Sequence, residues 1–203
     1  MPTRNVVKIY IPDTYYHIYN RGWNRSEIFR ENEDYDYFEW LLARHLSVEP
    51  VKDQKGREYR HLREDIDLVA YCLMPNHFHI LAYQRDEHAI SHLASSVLTA
   101  YTMYFNKKYK RRGPLFESTY KAVSIAADSQ LLHITRYIHL NHDQYRTWAH
   151  SSYRDYMISP REWIDPTFIL ELFDSKRQYK EFVDDYESMQ RELGIIKASL
   201  ADT

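Results

Sequence analysis

Two histidines separated by one residue, His77 and His79, follow a Met74-Pro75-Asn76 break. In an extended strand alternate side chains share a face, so both imidazoles point the same way, roughly 7 Å apart along the chain. Imidazoles are common metal ligands, and such a pair can converge on one small ion. A bare His-x-His also fits two half-exposed positions of an alternating strand, and alone it favours that plainer reading. A metal site needs a third donor, and a reaction needs a nucleophile beside it. Tyr137 and Asn141 offer both chemistries, four residues apart on a helical stretch and therefore on one face. Without the histidines they would read as a core-edge tyrosine and an amide near a helix end. A third feature is Lys107, Lys108, Lys110, Arg111 and Arg112, clustered around Tyr109. Some of that charge complements a helix C-terminus. The remainder reads equally well as a phosphate-binding patch or as a solvated basic tip.

The elements that must position these residues follow from pattern. Thr14 to Asn20 is rich in β-formers and ends at Arg21-Gly22, which predicts a strand and a turn. Asn32 is placed to cap a helix running to about Leu46. Glu49 to Arg60 reads as a loop. Ile66–Leu73 and His77–Tyr83 read as two strands of a hairpin. Asp86 to about Lys110 carries one helical stripe that includes Tyr101 and Tyr104, both expected in the core. Tyr120–Ile125 follows as a strand. A helix is expected over Gln130–His142, capped by Asp128 or Ser129, with Leu131, Ile134 and Ile138 as its apolar stripe. The order strand-helix-strand-strand-helix-strand predicts an α+β fold with a ferredoxin-like antiparallel sheet and helices on one face. Residues 1–156 would form that domain. Residues 157–203 would form a helical C-terminal appendage, with Tyr179, Phe182, Val183, Tyr186 and Met189 on its last stripe. The stretch from Trp148 to Pro160, which holds Tyr153 and Tyr156, reads as loop.

A chain of 203 residues suits one well-buried domain with a small addition. Its formal net charge of -2 excludes a global basic field, so any nucleic-acid footprint must be local. Because 19 residues are tyrosines, a nucleophile cannot be chosen by residue type. Cys72 is the single cysteine and cannot form an internal disulfide, which suits a reducing cytoplasm. With no signal peptide and no apolar run of transmembrane length, a soluble cytoplasmic protein is expected.

Taken together, Met74-Pro75-Asn76-His77-Phe78-His79 and Arg136-Tyr137-Ile138-His139-Leu140-Asn141 resemble the single-tyrosine HUH transposases. Within them the sequence most resembles the REP-associated tyrosine transposase branch. Tyr16-His17-Ile18-Tyr19-Asn20-Arg21-Gly22 is similar to that family's first strand. Gly113-Pro114-Leu115-Phe116 and Ser151 to Tyr156 are similar to its later segments. Two positions depart from the family pattern: Asn141-His142 stands where Asn-Pro is usual, and Thr119 where a basic residue is usual. The resemblance implies that His77, His79 and Asn141 bind one divalent metal ion, Mg2+ or Mn2+. It implies that Tyr137 attacks single-stranded DNA near a hairpin, giving a covalent 5′-phosphotyrosine and a free 3′-hydroxyl. Rejoining then needs no nucleotide cofactor. DNA contacts are expected from Lys107, Lys108, Lys110, Arg111 and Arg112, with Lys121 added. No membrane partner is expected, and a homodimer is left open. Two alternatives stand beside this one: a domesticated hairpin-DNA binder with little cleavage activity, and a metal-dependent hydrolase using His77 and His79 with a metal-bound water.

Overall fold

The computed structural model describes residues 10–186. Its elements are β1 (Thr14–Arg21), α1 (Asn32–Leu46), β2 (Ile66–Met74), β3 (His77–Gln84), α2 (Ala89–Lys108), β4 (Lys121–Ile125) and α3 (Asp128–His139). Short helices α4 (Tyr153–Met157) and α5 (Thr167–Glu171) follow, and residues 176–186 are helical. Met189 lies outside the described residues. The four strands form one antiparallel sheet in the order β2-β3-β1-β4, the ferredoxin-like arrangement expected. Pro75 and Asn76 alone connect β2 to β3, since Met74 already pairs with His77. No helix among the described residues is long and apolar enough to cross a membrane.

Strand alternation divides the interior into two cores. Ile18, Phe78 and Ile80 face α1 and α2, where they pack with Phe38, Leu42, Val97 and Tyr101. Ala70, Cys72 and Leu81 face the other way and pack against Leu131 and Ile138 of α3, together with Tyr156, Ile169, Tyr179 and Val183. Helices on one face therefore describes α1 and α2 only; α3 and the later segments cover the second face. The reason lies in β2 and β3, which are apolar on both faces and need cover on both. The stretch expected to be loop around Tyr153 and Tyr156 is partly helical for the same reason. Both side chains are buried, and the Tyr156 hydroxyl donates to the Val69 carbonyl oxygen at 3.1 Å.

Four helix ends differ from expectation, one being the start of α2, which lies at Ala89 rather than Asp86. Asn32 is the first helical residue of α1 and Glu31 is its cap. The cap of α3 is Ala127, with Asp128 inside the first turn, and α3 stops at His139. At α1 the difference has an energetic cause. The fully buried Asp34 carboxylate accepts the backbone N–H groups of Arg30 at 2.9 Å and Glu31 at 3.2 Å. It also accepts the hydroxyls of Tyr104 at 3.0 Å and Tyr109 at 2.7 Å, and pairs with Lys108 at 2.8 Å. The start of α1 is thereby locked to the end of α2, each charge complementing its helix dipole.

Burial alone would raise the Asp34 carboxyl, but Lys108, Tyr109 and the two backbone donors hold it below the usual carboxylate range. A carboxyl lowered in this way stabilises the fold above its unfolded value of ~3.9 and ceases to do so as pH falls through its folded value. Asp34→Asn should cost about 3 kcal/mol at neutral pH, because a buried ion pair loses one member. Urea unfolding of both proteins at pH 7 and pH 3 checks this; the cost should shrink at pH 3, and an undiminished difference would refute the account.

Candidate active site

The pairing of β1 with β3 puts Tyr19 opposite His79 and Arg21 opposite His77. Because alternate residues share a face, His17, Tyr19 and Arg21 lie on the same side of the sheet as the two histidines. That is the side covered by α3. Phe78, between the histidines, is buried on the opposite side and anchors the strand in the first core.

His77 makes two close polar contacts, Nδ1 to Asn76 Oδ1 at 2.6 Å and Nε2 to Asn141 Oδ1 at 2.8 Å. Burial lowers its pKa, so the ring is neutral at pH 7 and carries one N–H. Asn76 is oriented by donating its amide N–H to the Arg25 carbonyl oxygen, which leaves Oδ1 to accept from His77 Nδ1. His77 Nε2 and Asn141 Oδ1 then face each other as two lone-pair donors. Their 2.8 Å separation is close to the ~3 Å between neighbouring ligands of an ion bound at ~2.1 Å. The donor set therefore fits a divalent cation. His79 approaches His17, its Nδ1 lying 2.9 Å from His17 Nε2, which leaves Nε2 as its remaining ligand nitrogen.

Tyr137 comes from the last full turn of α3. Its ring stands edge-on to His79, with centroids 5.3 Å apart and planes at 82°, and it is 39% exposed. Asn141 lies beyond the end of α3, where its N–H bonds the Ile138 carbonyl oxygen at 3.3 Å. The turn, rather than a continuing helix, delivers its side chain to His77. A cavity of about 350 Å³ opens over this group, lined by His77, His79, Tyr137, Arg21, Arg25 and Lys121 among others.

Arg21 and Arg25 were not predicted as site residues. Arg21 continues the His17-Tyr19 alternation, a signal that the sequence carries. Arg25 is set by an irregular turn in which Asn24 and Arg25 both take left-handed backbone conformations, φ 50° and 58°. That turn is clamped to the Pro75-Asn76 connection: Gly22 N–H bonds the Asn76 carbonyl at 2.8 Å, and Ile28 N–H bonds that of Pro75 at 2.8 Å. Gly22 has no room for a side chain, since a Cβ would collide with the Ser26 carbonyl oxygen.

Of the expected DNA contacts, Lys121 lies on the cavity rim, but Lys107, Lys108, Lys110, Arg111 and Arg112 do not line it. Lys108, expected to face DNA, instead points into carboxylates, 3.2 Å from Glu31, 2.8 Å from Glu33 and 2.8 Å from Asp34. Lys107, Lys110 and Arg112 are exposed. Asp36, Glu39 and His150 form the one trio of acidic, cysteine or histidine ligand atoms within 4.8 Å of one another among the described residues, and could hold a cation. None of the three lines the cavity, and Arg161 already lies 3.4 Å from Glu39.

Residues 53–141 match the family model described as transposase, IS200 like, a span that contains His77, His79, Tyr137 and Asn141. Over that span, a little under half of the chain, the sequence is similar to the IS200-like transposases. No curated protein matches the sequence. Among solved structures, a REP-associated tyrosine transposase bound to a REP hairpin superposes with a TM-score of 0.53 at 15% identity. That likeness covers 81% of this chain and 94% of the other, and it establishes a shared fold. A provisionally assigned transposase of Deinococcus radiodurans R1 gives a TM-score of 0.39 at 18% identity over 70% of this chain and 98% of its own. That superposition is too loose to bear on the site.

Burial lowers the imidazole of His17 to about 4 and those of His79 and His139 to about 3. Each is neutral in the folded protein but takes up a proton near ~6.5 once unfolded. The contribution of these neutral rings is complete above that value and is lost as pH falls toward 4 and then 3. Thermal unfolding midpoints should therefore drop steadily from pH 7 to pH 4, before most carboxylates titrate. A flat profile over that interval would contradict the burial of these rings.

Proposed function

We propose that this chain nicks and rejoins single-stranded DNA beside a hairpin, using Tyr137 as nucleophile and a divalent ion held by His77, His79 and Asn141. The observation that carries this reading is the exposed phenol standing edge-on to His79, beside a His77–Asn141 pair of facing lone-pair donors. In the step proposed, the Tyr137 oxygen bonds to phosphorus and gives up its proton as the bond to the 3′ oxygen breaks. That 3′ oxygen takes a proton and leaves as a hydroxyl, and a 5′-phosphotyrosine remains. The reverse step rejoins the strand without a nucleotide cofactor, because the phosphodiester is exchanged for another phosphodiester. Bound at these residues, Mg2+ or Mn2+ would supply positive charge at the scissile phosphate. Imidazole donors suit Mn2+ by softness, while Mg2+ is favoured by availability.

The protein's own groups have separate tasks. Neutral imidazoles and an amide oxygen add no negative charge to a site that must accept a phosphate. Arg21, Arg25 and Lys121 on the rim would hold phosphates on either side of the scissile one. Lys107, Lys110, Arg111 and Arg112 are proposed as a second phosphate patch, while Lys108 serves the fold. The hairpin preference and the REP-associated branch are carried over from the motif resemblance, and the REP-hairpin complex of a protein with the same fold agrees with them. All residues given chemical roles precede residue 157. Those after it in the described chain contribute packing, through Ile169, Tyr179 and Val183.

Tyr137→Phe removes one hydroxyl from an exposed position, so folding and DNA binding should survive. Incubation with labelled single-stranded DNA and Mn2+ should give a denaturation-resistant adduct with the parent and none with the variant. An adduct that persists in Tyr137→Phe, or maps by mass spectrometry to another tyrosine, would sink the assignment. Retarded DNA without any adduct would indicate a binding protein, and cleaved DNA without an adduct a hydrolase.

A second expectation concerns the cations. Replacing Arg21, Arg25 and Lys121 together by Gln should flatten the dependence of single-stranded DNA affinity on salt by about 2, at ~0.7 per phosphate contact. Lys108→Gln should leave that slope unchanged and lower the unfolding midpoint instead. An altered slope in Lys108→Gln, or an unchanged one in the triple variant, would overturn the division of roles.

A further inference from the structure

His17 is buried, and the chemistry proposed for the cavity makes no direct use of it. Its place is set by register. Tyr19 pairs with His79, so His17, two residues earlier on β1, is the diagonal neighbour of His79 on the same face. The rings lie nearly parallel, with centroids 5.1 Å apart and planes at 23°, and Nε2 of His17 is 2.9 Å from Nδ1 of His79. Tyr19 stacks against both, at 5.0 Å from His17 and 5.8 Å from His79. A group so tightly placed could be a third ligand of the same ion. Geometry argues otherwise, since no nitrogen of His17 joins those of His77 and His79 in a set within 4.8 Å of one another. His17 stands behind His79.

We infer that His17 is a positioning residue whose Nε2 accepts the Nδ1–H of His79, holding His79 in the tautomer that presents Nε2 as a bare ligand nitrogen. The inference deepens the proposed function, because it rests on His79 being a ligand. A neutral imidazole carries one proton, and without a partner at Nδ1 nothing prevents that proton from residing on Nε2, where it blocks coordination. A buried acceptor at Nδ1 removes this ambiguity and fixes the ring plane. Carboxylates or carbonyl oxygens usually fill this role behind metal-binding histidines. Here a second neutral imidazole fills it without adding negative charge to a site that receives a phosphate.

The test compares the parent with His17→Phe, which keeps an aromatic ring but no acceptor, and His17→Gln, whose amide oxygen can accept the same proton. Two readouts are needed: the His79 tautomer from nitrogen-15 shifts of the metal-free protein, and Mn2+ affinity by titration. The parent should show His79 protonated on Nδ1. His17→Phe should move the proton to Nε2 and weaken Mn2+ binding by about 10- to 100-fold, with His17→Gln restoring most of both. A parent protonated on Nε2 of His79, unchanged Mn2+ affinity in His17→Phe, or no recovery in His17→Gln would each overturn the inference. His77→Ala separates the two levels. If it abolishes Mn2+ binding while His17→Phe does not, only the role of His17 falls. If it too leaves Mn2+ binding intact, the metal site itself is wrong and the inference falls with it.

Discussion

The antiparallel pairing of β1 with β3 is the constraint on which the site depends. Its register places Tyr19 across from His79 and Arg21 across from His77, and the pleat turns every second side chain to one face. A shift of one residue would send His17, Tyr19 and Arg21 into the core beneath α1 and α2, and bring Tyr16, Ile18 and Asn20 out beside the histidines. Such a slip is opposed by burial. Ile18, Phe78 and Ile80 are all at least 95% removed from solvent on the core side, and none could be exposed without loss of transfer free energy. The apolar residues of these strands thus hold the polar ones in place.

Two cores share that sheet, and the site forms where the second one ends. Leu131 and Ile138 seat α3 against Cys72 and Leu81, leaving Tyr137 at the margin of the packing with its ring beside His79. The later segments matter to this placement. Tyr156, Ile169, Tyr179 and Val183 close the same core, and His139 is held between Tyr179 and Ser152 at 2.7 and 2.9 Å. The described part of the C-terminal region therefore bears on the site through the seating of α3, although it brings no reactive group to it.

Charge is divided in a comparable way. A near-neutral chain keeps exposed cations at the cavity rim and at the end of α2, while one lysine of the same run is enclosed by Glu31, Glu33 and Asp34. Runs of like charge cannot be assigned a single role from composition, because each side chain answers to whichever partner its backbone position brings within reach.

The alternation of β1, β2 and β3, the helical stripes of α1 to α3 and the Pro75-Asn76 turn were all legible in the residues, because local periodicity and turn chemistry depend on near neighbours. So were His77, His79, Tyr137 and Asn141 as candidates, through motifs whose spacing is local. What the chain alone could not convey was every relation between distant segments: that His17 would stand behind His79, that Arg25 would reach the same cavity through a strained turn, and that Lys108 would turn inward. The end of α3 before Asn141 and the helical form of the stretch around Tyr156 also escaped, since both depend on what packs against them. The sequence by itself determined which residues could do chemistry and which strand faces they share. Tertiary structure decided which of them meet, because contacts between segments far apart in the chain are chosen by burial and hydrogen bonding across the whole fold rather than by local pattern.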